Sequence, residues 1–183
     1  ASPMRILTAC VIAITIGVIL FPGSSLSATQ ENVVKVVTNA IKYMRGIDHK
    51  DGNIHFVILY QQGDTLFKGK AQQYAAMFHD KNVKRRKVSA SYHSTDSLNI
   101  ALKEAHIVMF VGEVDTKVSE EVLSVAKRKH IMLIGDNKRC AQEAYCAVGF
   151  DVGEKTNIYL NEHVLGMLGF DLQAAFRLMV KRL

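Results

Sequence analysis

Three short runs restrict the fold more than any other feature of the sequence. Ile54-His55-Phe56-Val57-Ile58-Leu59-Tyr60, Ile107-Val108-Met109-Phe110-Val111 and Ile131-Met132-Leu133-Ile134 are almost wholly apolar on both parities, where a half-exposed strand would alternate. Strands of this kind are covered on both faces, which is the property of parallel sheets flanked by helices. Between the runs lie stripes at helical spacing: Ala71, Tyr74, Ala75 and Phe78, then Leu98, Ala101, Leu102 and Ala105, then Val118, Val122, Val125 and Ala126. Ser94 or Thr95, and Asp115, stand where helix N-caps belong. Strand and helix alternating at this pitch require right-handed crossovers, so the fold class is α/β, a three-layer sandwich with a mostly parallel sheet.

The remaining segments decorate that core. Val33, Val37, Ala40, Ile41 and Met44 predict an amphipathic helix over Gln30 to Arg45, ended by Gly46, with a polar turn over His49 to Asn53. Lys87 to Ser91, Ala147 to Val152 and Lys155 to Leu160 read as shorter added strands, the last two as a C-terminal hairpin turning at Gly153-Glu154. Two helices are expected to follow. Asn161 caps a short one stopping near Gly169, and Asp171 caps a longer one carrying Leu172, Ala175, Phe176, Met179, Val180 and Leu183, with Lys181 and Arg182 in its last turn.

The N-terminus bears on the compartment. Met4 and Arg5 precede an apolar run from Ile6 to Phe21, then a Pro22-Gly23 break and the small residues Ser25 and Ser27, the layout of a secretory signal. Residues 1–28 are therefore expected to be a signal peptide preceded by a short upstream scar, with cleavage after Ser27 or Ala28, and residues 29–183 a single domain. An uncleaved anchor is the competing account, although the run falls short of the roughly 20 residues that span a bilayer. Leu7-Thr8-Ala9-Cys10 is not read as a lipobox, because the apolar run follows the cysteine. The formal net charge of +6 gives no argument for nucleic acid in an exported protein, and Lys84-Arg85-Arg86-Lys87 reads as a solvated edge.

Catalytic chemistry is not legible. The loop Gly63-Asp64-Thr65-Leu66-Phe67-Lys68-Gly69-Lys70-Ala71 fails as a phosphate loop, because five residues separate its glycines and Ala71 stands where a hydroxyl is needed. It keeps only the free N–H groups of a strand-to-helix turn. No histidines or cysteines fall at metal-ligand spacing, and neither a metal nor a cofactor is expected. Gly112-Glu113 and Gly135-Asp136-Asn137 end neighbouring strands, where open α/β sheets hold ligands; the plainer account, which we prefer, is that glycine merely permits the turns. Cys140 and Cys146 either remain buried thiols or form a bridge, and a bridge requires the helix to end between Gln142 and Tyr145, since six residues of continuous helix separate the ends by about 9 Å.

Taken in order, Asn39-Ala40-Ile41-Lys42-Tyr43-Met44, Gly63-Asp64-Thr65-Leu66-Phe67, Ala105 to Gly112, Ile131 to Asp136, the cysteine turn and Ile158-Tyr159-Leu160-Asn161 resemble the YfiR family of exported bacterial proteins. The resemblance implies a compact periplasmic domain that represses a membrane-bound diguanylate cyclase, and with it cyclic-di-GMP output and biofilm formation. It makes Cys140 and Cys146 the counterparts of a fold-stabilising cysteine pair, and Thr156, Asn157, Ile158 and Tyr159 the counterparts of a hairpin motif whose usual glutamate is absent here.

Two functions are thus expected. The first is a non-enzymatic regulator that binds the periplasmic domain of an inner-membrane protein, with an outer-membrane lipoprotein as a further candidate partner and a homodimer left open. Its contact residues would be Tyr145, Asn157, Tyr159, His163 and Leu165, with exposed apolar side chains over Val164 to Phe170. The second is a small-solute-binding component of a transport system, using Gly63, Asp64, Gly112, Glu113, Gly135, Asp136 and Asn137.

Overall fold

Burial of Ile54–Tyr60 on both faces sets the architecture: all its side chains except His55 are buried, as are all of Ile107–Val111 and Met132–Gly135. The computed structural model describes residues 28–47, 52–153 and 155–183. The leader expected over residues 1–28 lies outside these apart from Ala28, as do most of the polar turn at 49–53 and Glu154 of the hairpin turn. In chain order the elements are α1 (Ala28–Tyr43), β1 (Met44–Arg45), β2 (Ile54–Tyr60), α2 (Thr65–Phe78), β3 (Asn82–Val83), β4 (Arg86–Ser94), a 3-10 turn (Thr95–Ser97), α3 (Leu98–Ala101), β5 (Ile107–Val111), α4 (Thr116–Lys129) and β6 (Met132–Gly135). There follow α5 (Arg139–Gln142), β7 (Val148–Val152), β8 (Thr156–Leu160), α6 (Glu162–Met167), β9 (Asp171–Leu172), α7 (Ala174–Arg177) and β10 (Lys181–Arg182).

The main sheet runs β10-β8-β7-β6-β5-β2-β4-β3. It is parallel from β4 through β7, with antiparallel pairs at β7–β8 and β3–β4 and a parallel β10 on the β8 edge. The chain leaves β2 toward β4 on one side and returns to β5 on the other, so the strand order reverses between β2 and β5. Right-handed crossovers in opposite directions place helices on opposite faces. The core shows it: Phe56 of β2 stacks on Phe78 of α2 with centroids 4.4 Å apart, whereas Phe110, beside Leu59 of β2, meets Tyr145 edge-on at 5.4 Å on the α4 side. The expected α/β sandwich is the observed one, and β7 and β8 form the expected hairpin from Val148↔Leu160 to Val152↔Thr156.

Three local expectations are corrected. The segment read as a short added strand is the nine-residue β4, paired with β2 over seven positions inside the sheet; Ser89, Ser91 and His93 disguised it. The Leu98 to Ala105 stripe is helical only over Leu98–Ala101, and Leu102 and Ala105 are buried without helix; Thr95 accepts from the Gln62 N–H at 3.0 Å in place of capping. The long terminal helix does not form. Asp171 and Leu172 pair with Arg45 and Met44, Lys181 and Arg182 pair with Tyr159 and Leu160, and only four residues between remain helical. Available sheet edges outweighed a weak helical period, and Leu178, Met179 and Leu183 are left exposed. The run Lys84-Arg85-Arg86-Lys87 is an exposed edge as expected, with Arg86 half-buried, and two of its residues also tie neighbouring chain: Lys84 Nζ donates to the Met44 carbonyl at 2.5 Å, and the Arg86 guanidinium donates to the carbonyls of Ile47, Gly52 and Asn53.

Candidate functional site

A cleft of about 980 Å³ opens at the carboxyl ends of β5, β6 and β7, on the face covered by α1 and α2. Local sequence builds each wall. Asp64 caps α2, its Oδ1 accepting from the Phe67 N–H at 2.9 Å, so that Phe67, Lys70 and Tyr74 descend one face of the helix at spacings of three and four. Gly112 adopts φ +72° after β5, and a Cβ there would come within 2.5 Å of the Phe67 ring, so only glycine lets ring and turn meet. After β6, Asp136, Asn137, Lys138 and Arg139 form the opposite wall, and Phe150, Asp151 and Val152 of β7 form the floor.

Asp136 is the electrostatic centre, its side chain only 2% exposed. Its Oδ1 accepts from the Gly112 N–H at 2.9 Å and from Asn137 Nδ2 at 3.2 Å. Its Oδ2 is ion-paired with Lys70 Nζ at 2.6 Å and has no other polar partner among the described residues. Lys70 Nζ also lies 6.0 Å from the Phe67 ring centroid and 5.8 Å from that of Tyr74. Burial, with the Asp136 charge adding to it, pushes the Tyr74 phenol well above its ordinary pKa. On the rim, Arg139 is held by Glu113 and by Glu143, and Lys138 Nζ is 3.6 Å from Asp151. Each charge facing the cleft therefore has a counter-charge, and between them lie apolar Val33, Leu66, Phe67, Phe150 and Val152 beside the uncharged polar Thr29, Gln30, Thr65 and Gln73.

Of the loop residues expected to meet a ligand, Gly112, Glu113, Asp136 and Asn137 come together here. Gly63 and Asp64 do not line the cleft; they make the turn and cap that aim α2. Gly135 is needed because the Cys140 sulfur occupies the space where its Cβ would stand. Cys140 and Cys146 are at disulfide distance with Cα atoms 5.3 Å apart, α5 ending at Gln142 as a bridge requires. Sequence reasoning missed Lys70 and Tyr74, although Phe67, Lys70 and Tyr74 at i, i+3 and i+7 were visible as one helix face beside a candidate loop.

The residues expected to contact a partner do not share one surface. Tyr145 and Leu165 are buried core side chains, as are Val164, Leu168 and Phe170, so the exposed apolar segment expected over Val164 to Phe170 is an inward-facing one. Asn161 caps α6 as expected, accepting from the Val164 N–H at 3.1 Å. Asn157 and Tyr159 are half-buried on β8, with Lys138 and Lys181 over the Tyr159 ring at 5.9 and 5.5 Å, and His163 is exposed. No helix among the described residues is long and apolar enough to cross a membrane.

No family model and no curated protein matches this chain. Among solved structures it is similar to the ABC domain in complex with L-Trp from Streptococcus pneumonia, with a TM-score of 0.57 and 7% identity over 84% of this chain. It is also similar to a conserved domain protein from Vibrio cholerae O1 biovar El Tor strain N16961, with a TM-score of 0.54 and 11% identity over 86% of this chain. In both cases the chain spans 60% of the other's length. These likenesses establish a shared α/β fold.

Proposed function

We propose that the domain binds a small solute in the cleft beside Asp136. The observation that carries this reading is the cleft's position together with its lining. It lies at the carboxyl ends of parallel strands, beside the point where strand order reverses, which is where open α/β sheets take ligands. Its size is that of small-molecule sites, about 300–1,000 Å³, and it sets apolar side chains beside convergent charged and polar groups able to orient a ligand. One solved structure of similar fold carries L-Trp, which agrees with the reading without fixing the ligand. A thermal-shift screen of solutes tests it: a ligand at 100 times its dissociation constant should stabilise by about 2.7 kcal/mol. Amide shifts on binding should map to Phe67, Gly112, Asn137 and Phe150. No stabilising solute, or shifts confined to other surfaces, would refute the proposal.

A second reading keeps the regulatory role implied by the YfiR resemblance, with an exported domain docking on the periplasmic part of a membrane cyclase. It is supported by the exposed Leu178, Met179 and Leu183, respectively 87%, 55% and 52% accessible, around β10. Capture of a membrane cyclase by the wild type and its loss in Leu178→Asp/Met179→Asp is the expected result; equal capture by both proteins, or none, removes this reading.

A further inference from the structure

The Lys70 ammonium occupies a cage that is not its own by necessity. One side is the carboxylate of Asp136, with Oδ1 satisfied by Gly112 and Asn137 and Oδ2 partnered by the Lys70 ammonium alone, at 2.6 Å. The other sides are the faces of Phe67 and Tyr74. A buried carboxylate oxygen whose one partner is an alkylammonium group, flanked by aromatic faces, is a site that suits a second alkylammonium group as well. Lys70 reaches this position on a flexible four-carbon stem, and its side chain is still 34% exposed, so it can leave. The rim cations are already engaged elsewhere: Arg139 is shared by Glu113 and Glu143, and Lys138 lies between Asp151 and the Tyr159 ring.

We propose that this cage is the ammonium subsite of the cleft, that Lys70 fills it when no ligand is bound, and that the ligand is a small zwitterion of the amino-acid class. The inference rests on the solute-binding reading above. The ligand's ammonium takes Asp136 Oδ2, and its carboxylate takes the displaced Lys70 Nζ, so neither protein charge is left unpaired. Its apolar part lies against Phe67, Val33, Phe150 and Val152. A simple anion would draw Lys70 away and leave Asp136 buried without a counter-charge, which disfavours it.

Calorimetric titration of the disulfide-intact protein tests this with the twenty protein amino acids. The tightest binder is then compared with its N-acetyl, deaminated and decarboxylated derivatives. Blocking or removing the amine should weaken binding at least about tenfold, the loss of one charge-assisted contact. Decarboxylation should weaken binding to the wild type, whereas Lys70→Met, with the cage vacated, should bind the decarboxylated amine more tightly than the wild type does. Asp136→Asn should abolish amino-acid binding with its far-UV circular dichroism unchanged. Should that variant fail to fold, the side-chain 15N signal of Lys70 in the wild type decides instead, since it must shift on ligand addition. The inference is overturned if solutes without an ammonium group bind in the cleft while amino acids do not, if N-acetylation has no effect, or if the Lys70 signal stays fixed. If no solute of any class binds, the underlying solute-binding reading falls with it, and the two failures are thereby told apart.

Discussion

At the scale of single residues, two buried phenols carry the clearest pH signature. Tyr74 is raised by burial and secondarily by Asp136; Tyr145 is pushed up to about 12, first by burial and then by the charge of Glu143. A group whose folded pKa exceeds its unfolded value favours the folded state below the unfolded pKa, and that contribution is lost as pH rises. The unfolded phenols ionise near pH 10 while the folded ones do not, so stability should fall above pH 10 by about 1.4 kcal/mol per pH unit for each tyrosine, and for Tyr145 the fall ends near its folded pKa. Urea midpoints measured between pH 8 and 11.5 check this, and Tyr74→Phe should flatten the alkaline slope; an unchanged slope would show that the Tyr74 phenol is not the source. Both tyrosines stood in the sequence as apolar-period or surface candidates, and nothing local distinguished them. Their pKa values depend first on how deeply the fold buries them and then on which carboxylates it brings near.

Among elements, the turn from α5 into β7 shows how far spacing alone can reach. A bridge between Cys140 and Cys146 requires a helix break between them, and α5 stops at Gln142 with Ala144 turning the chain at φ +62°. So small a loop constrains the unfolded chain modestly, so Cys140→Ser/Cys146→Ser is expected to lower stability by about 2 kcal/mol on the chain-entropy account. Urea unfolding of the double variant beside the oxidised wild type measures it, and a loss below 0.5 kcal/mol or so would contradict the loop-closure account. The C-terminal segment teaches the reverse lesson. Leu172, Ala175, Phe176, Met179, Val180 and Leu183 keep a helical period, yet β1 and β8 offered edges on either side and took Asp171–Leu172 and Lys181–Arg182 as strands. Periodicity says which side chains favour burial together; it does not say whether another strand is waiting.

For the molecule as a whole, stability should be graded from the sheet centre outward. β2, β5 and β6 are buried on both faces and paired on both edges, whereas β10 holds the sheet edge by two exposed residues. Amide hydrogen exchange should therefore be at least about a hundredfold slower across the three central strands than across β9, α7 and β10, the terminal region opening locally while the centre exchanges only on global unfolding. Uniform protection along the chain would contradict this gradient. The same rigid centre places the cleft, because Gly112 and Asp136 are the first residues beyond β5 and β6 and inherit their register.

Local pattern alone determined the two-sided strands, the helices that alternate with them, the hairpin and the length of the cysteine loop, because each depends on burial and chain reach over a few neighbouring residues. Only the tertiary structure decided that β4 lies beside β2, that the tail pairs instead of coiling, and that Lys70 meets Asp136. Those outcomes turn on which distant edges and faces are left free once the central strands have packed, and no stretch of sequence shorter than the whole domain holds that information.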